Sequence, residues 1–99
     1  MPVWIGWIEF DLLLGDVHSL KGKRSLVRPI VAEVTRRFAV TAAEVRHQDL
    51  HRRAGIGAAV VAGDARHVAA VLDEVERFIA ERPEIELLSA RRGLASSDD

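Results

Sequence analysis

The chain contains no cysteine. That excludes disulfides and thiolate-bound zinc outright. Secreted domains of this size lean on such bridges, so the cytoplasm is the expected compartment. No apolar run approaches the ~18 residues that mark a membrane-spanning helix. Residues 1–10 lack the basic start of a signal peptide. Aromatic side chains are scarce: Trp4, Trp7, Phe10, Phe38 and Phe78. Charge of one sign is not in excess either, since 14 basic and 15 acidic residues give a formal −1. This argues against a strongly basic nucleic-acid coat but leaves room for a local patch, because binding depends on where charges sit. Neither GxxxxGK[ST] nor GxGxxG occurs, so a glycine-rich nucleotide cradle is unsupported.

What is present fits one domain of 99 residues. The apolar fraction is 48%, much of it Ala and Val, which bury little area at roughly 0.8 kcal/mol per CH₂. The core has little to spare, and another subunit would supplement it.

Residues 3–14 read as a strand. Trp4, Ile8, Phe10, Leu12 and Leu14 share one parity with Gly6, and Val3, Ile5, Trp7, Glu9 and Asp11 the other. Gly15-Asp16 suits a turn. Ser19 is a candidate helix cap. Leu20, Val27, Ile30, Val31, Val34 and Phe38 form one helical stripe. Pro29 interrupts it, predicting a long helix kinked there or, alternatively, a short one beginning near Arg28. Strands are expected over 40–48 and 54–62, joined by the polar DLHRR. Gly55, Gly57, Ala58 and Ala59 make the latter strand thin, so a helix or a partner can approach its backbone. Asp64 caps a second helix striped by Val68, Val71, Leu72, Val75, Phe78 and Ile79. Pro83 ends it, and Ile85, Leu87 and Leu88 mark a last strand. Residues 1–93 thus form one domain and 94–99 a disordered tail.

The order β-α-β-β-α-β predicts an α+β, ferredoxin-like sandwich: a four-stranded antiparallel sheet with two helices on one face. The other face stays bare. Val3, Ile5 and Trp7 lie there, and an apolar patch of that kind predicts a homodimer interface.

Two polar clusters stand out. The first is His18, Ser19, Lys21, Lys23, Arg24 and Arg28, with no acid between Asp16 and Glu33; free helix-start N–H groups add to its positive field, and phosphate is its natural counterion. The second is Arg46, His47, Gln48, Asp49, Arg52 and Arg53. His47, Asp49 and His51 alternate as ligands on a strand would, yet the neighbouring arginines oppose a dication. His47 with Asp49 is also a conceivable base and orienting group, and Glu9 with Asp11 a conceivable acid/base pair, but no activated nucleophile accompanies them. Trp4 and Trp7 fall on opposite faces, so the sheet offers no base-stacking platform of the RRM kind.

The stretch Leu13-Leu14-Gly15-Asp16-Val17-His18-Ser19-Leu20-Lys21-Gly22-Lys23-Arg24, followed by Ala43-Glu44-Val45-Arg46-His47-Gln48-Asp49-Leu50, Arg53-Ala54 and Gly57-Ala58-Ala59-Val60-Val61, resembles the YlxP-like family, domain-of-unknown-function family 503. The resemblance spans about Val3 to Arg92. It implies a ferredoxin-like fold, an oligomer, and a link to ribosome maturation or translation. It marks His18, Ser19, Leu20, Lys21, Lys23 and Arg24, and His47, Gln48 and Asp49. Gly22 departs from a usual glutamate and Arg46 from an acid or amide; Pro29 is unusual, as is His51 in place of an aromatic.

The expectation is therefore a non-catalytic, dimeric protein that meets rRNA or a translation-associated partner through residues 18–28 and 46–53, without a cofactor. An enzyme or metal protein using His18, His47 and Asp49 is the alternative, and a protein–protein adaptor presenting Trp7 is a third.

Overall fold

A computed structural model describes all of residues 1–99. Alternation of apolar side chains along Trp4–Leu14 makes β1; helix α1 follows at Leu20–Phe38, then β2 at Thr41–Val45, β3 at Arg53–Ala62, α2 at Ala65–Ala80 and β4 at Ile85–Ser96. The sheet order is β2-β3-β1-β4, and every pairing is antiparallel. This is the ferredoxin-like α+β arrangement.

The two periodicities build one core. Ile8, Phe10, Leu12 and Leu14 of β1 point to the helices, as do Ala54, Ile56, Ala58 and Val60 of β3. Val27, Ile30 and Val34 of α1 and Val68, Leu72, Val75 and Ile79 of α2 meet them. Each large aliphatic or aromatic group so buried contributes about 1.5–3 kcal/mol.

Four local features differ from, or decide between, the expectations. Helix α1 is the long alternative, with Pro29 in its interior. Pro29 is exposed, so water can reach the carbonyl its missing N–H leaves free. Strand β2 stops at Val45 and not at residue 48, because Arg46 and His47 both turn into the left-handed region, at φ 52° and 54°. The small open-face residues of β3 admit no helix: Gly55 and Gly57 stand opposite Asp11 and Glu9, on the side away from the helices. Finally, β4 enters the segment expected as a tail. Ladder pairing continues to Trp4↔Ser96, and Val3 and Ser97 exchange hydrogen bonds of 2.9 and 2.8 Å. The length of β1 supplies the partner that composition alone did not reveal.

Candidate functional site

The open face of the sheet divides into an apolar half and a charged half. Val3, Ile5 and Trp7 are 45, 45 and 42% exposed. Two residues further along β1 lies Glu9, flanked by Gly57 of β3 and Arg91 of β4; Asp11 is flanked by Gly55 and Ser89. The glycines leave space into which longer side chains fold.

Glu9 holds two arginines. Arg46 Nε donates to one carboxylate oxygen, and Arg91 Nη2 to the other at 3.1 Å. Arg53 donates twice to Asp11, at 2.5 and 3.3 Å, and His47 Nε2 stands 3.4 Å from the same carboxylate. Burial works to raise the Glu9 carboxyl, but the hydrogen bonds and charges of Arg46 and Arg91 together prevail and hold it below the ordinary range. The Arg53 hydrogen bond is the chief influence on Asp11; it prevails over burial and, with the charges of Arg53 and His47, holds that carboxyl low as well. Glu9, Asp11, Arg46, His47, Ser89 and Arg91 line a hollow of about 200 Å³.

The turn delivering Arg46 and His47 is strained, since left-handed backbone costs a non-glycine residue roughly 1–2 kcal/mol. Lys23 restrains it. This side chain is 2% exposed, donates to the His47 carbonyl at 2.5 Å and lies 3.0 Å from the Glu44 carboxylate. Leu50 N–H donates to the same carbonyl at 3.0 Å. Opposite, a Cβ at Gly55 would overlap the Val45 carbonyl oxygen, so glycine is what lets the turn close over β3.

The two expected clusters do touch, but their members have unlike roles. Lys23 is no phosphate contact; it is an internal strut between α1 and the 46–50 turn. Ser19 caps α1, its hydroxyl accepting from Gly22 N–H at 3.0 Å. Arg46 and Arg53 are occupied by carboxylates. His18 lies 2.6 Å from Asp16, and both are fully on the surface. Gln48 reaches only the Glu44 carbonyl, at 3.4 Å. Asp49 is exposed and does not orient His47, whose carboxylate partner is Asp11. The alternating ligand set 47-49-51 is lost with the early end of β2, and no three His, Asp or Glu side chains converge. Glu9 and Asp11 are both held in their ionised forms by arginines, so neither is poised as a general acid. Lys21, Arg24, Arg28 and Arg52 are exposed with no carboxylate within 4 Å; Arg52 donates to the Gly15 carbonyl at 3.1 Å. Sequence reasoning missed Arg91, Ser89 and Arg36. The β1–β4 register, which pairs Arg91 with Glu9, is the signal for the first two, and helical spacing from Arg28 for the third.

Fold and charge pattern together define a small ferredoxin-like α+β domain with cations arranged on both its layers. The chain belongs to the family described as protein of unknown function DUF503, which matches residues 5–92. It is 34% identical over 82 residues to the uncharacterized protein YlxP of Bacillus subtilis (strain 168), covering 83% of this chain and 89% of that protein.

Proposed function

We propose that this is a cytoplasmic, non-catalytic RNA-binding domain that grips phosphates with the solvent face of α1, joined by Arg52, in a ribosomal or translational setting. One observation carries the reading. Lys21, Arg24 and Arg28 follow one another at spacings of three and four along the wet side of α1, and none has an acid partner. Arg36 continues the ridge. The helix has a single acid, Glu33, and Arg37 and Arg82 already engage it. Arg52, held on the Gly15 carbonyl, brings a further cation without an acid partner to the connection that leads into the helix, whose start favours anions through the backbone dipole. Such a surface contacts the sugar–phosphate backbone and not base edges, so affinity exceeds sequence specificity.

The test is binding of a labelled structured RNA by the parent and by a K21A/R24A/R28A variant across a salt series. Three lost contacts should lower the slope of log K against log[salt] by about 3. Equal slopes and affinities would remove the ridge from the contact. Lys23 stays intact in this variant, so a folding defect does not mimic lost binding.

A further inference from the structure

The open sheet face carries a second arrangement, on the side of the sheet away from the α1 ridge and independent of it. The charged hollow adjoins an apolar trough of about 490 Å³, and the two share Glu9 and Arg46. Ala43, Gly57 and Ala59 line the trough with small groups, and Trp7 and Val45 line it with large ones. The indole leans onto β4, where a Cβ at Gly93 would overlap it. Leaning that way, Trp7 leaves the trough between β1 and β2 open.

We propose that this face binds a nucleoside 5′-monophosphate, with the phosphate on Arg46 and Arg91 and the planar base in the trough beside Trp7. The two arginines form the outer layer: they are 61 and 62% exposed, against 20% for Glu9 beneath them. An incoming anion meets guanidinium first. Glu9 has both oxygens occupied and holds the two forks side by side. The terminal amino nitrogens of Arg46 and the Nε of Arg91 have no partner in the chain, so donors remain for a dianion. The cationic groups exceed the carboxylates, with Arg46, Arg53 and Arg91 set against Glu9 and Asp11. Ser89 adds a hydroxyl and His47 an imidazole to the same wall. Trp7 and Glu9 lie about 7 Å apart along β1, a separation that a ribose bridges between phosphate and base. The strained turn at Arg46–His47, locked by buried Lys23, fits a preorganised binding wall better than a loop of no consequence.

The ligand is either a free nucleotide or the 5′-phosphorylated first residue of an RNA strand. The experiment uses a Trp4→Phe protein, so that Trp7 is its sole indole, and follows Trp7 emission during titration with AMP, UMP, adenosine, uridine and inorganic phosphate. Saturable quenching by the monophosphates is expected, with nucleosides and inorganic phosphate at least about tenfold weaker, because each supplies one half of the contact. R46A/R91A should lose about tenfold or more. Ala43→Leu, which fills the trough, should weaken AMP and leave inorganic phosphate unchanged. A 5′-phosphorylated dinucleotide binding more tightly than AMP assigns the site to a strand end; weaker binding assigns it to the free nucleotide. The proposal falls if no monophosphate quenches Trp7, or if R46A/R91A binds AMP as the parent does. It falls too if Trp7 emission follows protein concentration and ignores nucleotide, for then a second copy of the chain fills the trough. The K21A/R24A/R28A variant retains this site, so its failure and that of the RNA-binding ridge are read separately.

Discussion

The two helices lie on the same face of one sheet and touch through Phe38 and Phe78, edge to face at 5.6 Å, yet their sequences solve different problems. Helix α2 is explained by the core alone. Asp64 caps it through Arg66 N–H at 2.9 Å, Val68, Leu72, Val75 and Ile79 are buried, and Asp73, Glu74 and Glu76 share its wet side with Arg66 and Arg77. Helix α1 carries a glycine in its first turn and a proline in its interior, buries a lysine among its aliphatics, and exposes Lys21, Arg24, Arg28 and Arg36 without acids. Helix propensity accommodates exposed Lys and Arg, but neither it nor core burial asks for the glycine, the proline, the buried lysine or the absence of acids beside the cations. Departures from local stability gather where something other than stability is being specified. The contrast supports the proposal of a binding role for α1 and the turn it braces, with α2 as scaffold.

The sharpest way to break the contrast is to remove the strut. Lys23→Ala leaves the Glu44 carboxylate and the His47 carbonyl without their cation; Glu44 is partly exposed, so water recovers part of the loss and the cost is about 2 kcal/mol. Urea denaturation should show that loss, and the amide of Leu50 should exchange faster as the 46–50 turn loosens. An exposed α2 substitution such as Arg77→Ala should stay within about 0.5 kcal/mol. Equal costs at the two positions would make Lys23 an ordinary surface residue.

Next in size is the difference in RNA affinity between the helices. Neutralising Arg66 and Arg77 on α2 removes two cations that, like those of the ridge, have no carboxylate within 4 Å, yet RNA binding should change by less than about twofold, because α2 sets Asp73, Glu74 and Glu76 against them and so carries no net positive field. The K21A/R24A/R28A variant should lose far more. If both variants weaken RNA equally and with equal change per charge, net charge alone governs the contact and α1 is not special.

How much of this was visible in the chain follows the same division. The strand and helix periodicities, the caps Ser19 and Asp64 and the bare face bearing Val3, Ile5 and Trp7 were legible, because they depend on local spacing. The family resemblance marked Lys23 together with Lys21 and Arg24, without what distinguishes it from them. A lysine in a run of cations looks like its neighbours until helical phase and the depth of α1 on β2 are fixed. His47 was paired with Asp49 from adjacency, whereas the partner, Asp11, lies across the sheet. Arg91 stayed unnoticed because its importance arises from register with Glu9. Pairing across strands decides which cations are free, and a linear count of charges cannot carry that information.

A smaller effect sharpens the contrast within the helical layer. Pro29 is exposed, and its lost N–H leaves an interior carbonyl of α1 without its helical donor. Pro29→Ala should restore that bond and raise stability by about 1 kcal/mol, less than the full propensity difference because alanine also frees the unfolded chain. A rise in the urea midpoint without a change in slope would show it. RNA binding should persist, since Lys21, Arg24 and Arg28 keep their places. A loss of binding at unchanged stability would instead make Pro29 itself part of the contact surface.

The smallest expected effect separates the sheet face from the ridge by acid. Glu9 and Asp11 have folded-state carboxyls held below their ordinary values by arginines, so each binds a proton less readily folded than unfolded. Their contribution to stability is complete above the unfolded values, around pH 4, and drains away as pH falls through the lowered ones. Stability followed by thermal melting should therefore decline below about pH 4. Part of that decline should vanish in E9Q/D11N, whose amides do not titrate. Both groups are partly exposed, so water and salt screen the gain, and high salt should shrink the difference between parent and variant. The α1 ridge has no carboxylate to contribute, and K21A/R24A/R28A should follow the parent's acid decline. An acid decline that survives E9Q/D11N in full would move it to another part of the molecule, and the paired arginines of the open face would then be an arrangement with no energetic consequence for folding.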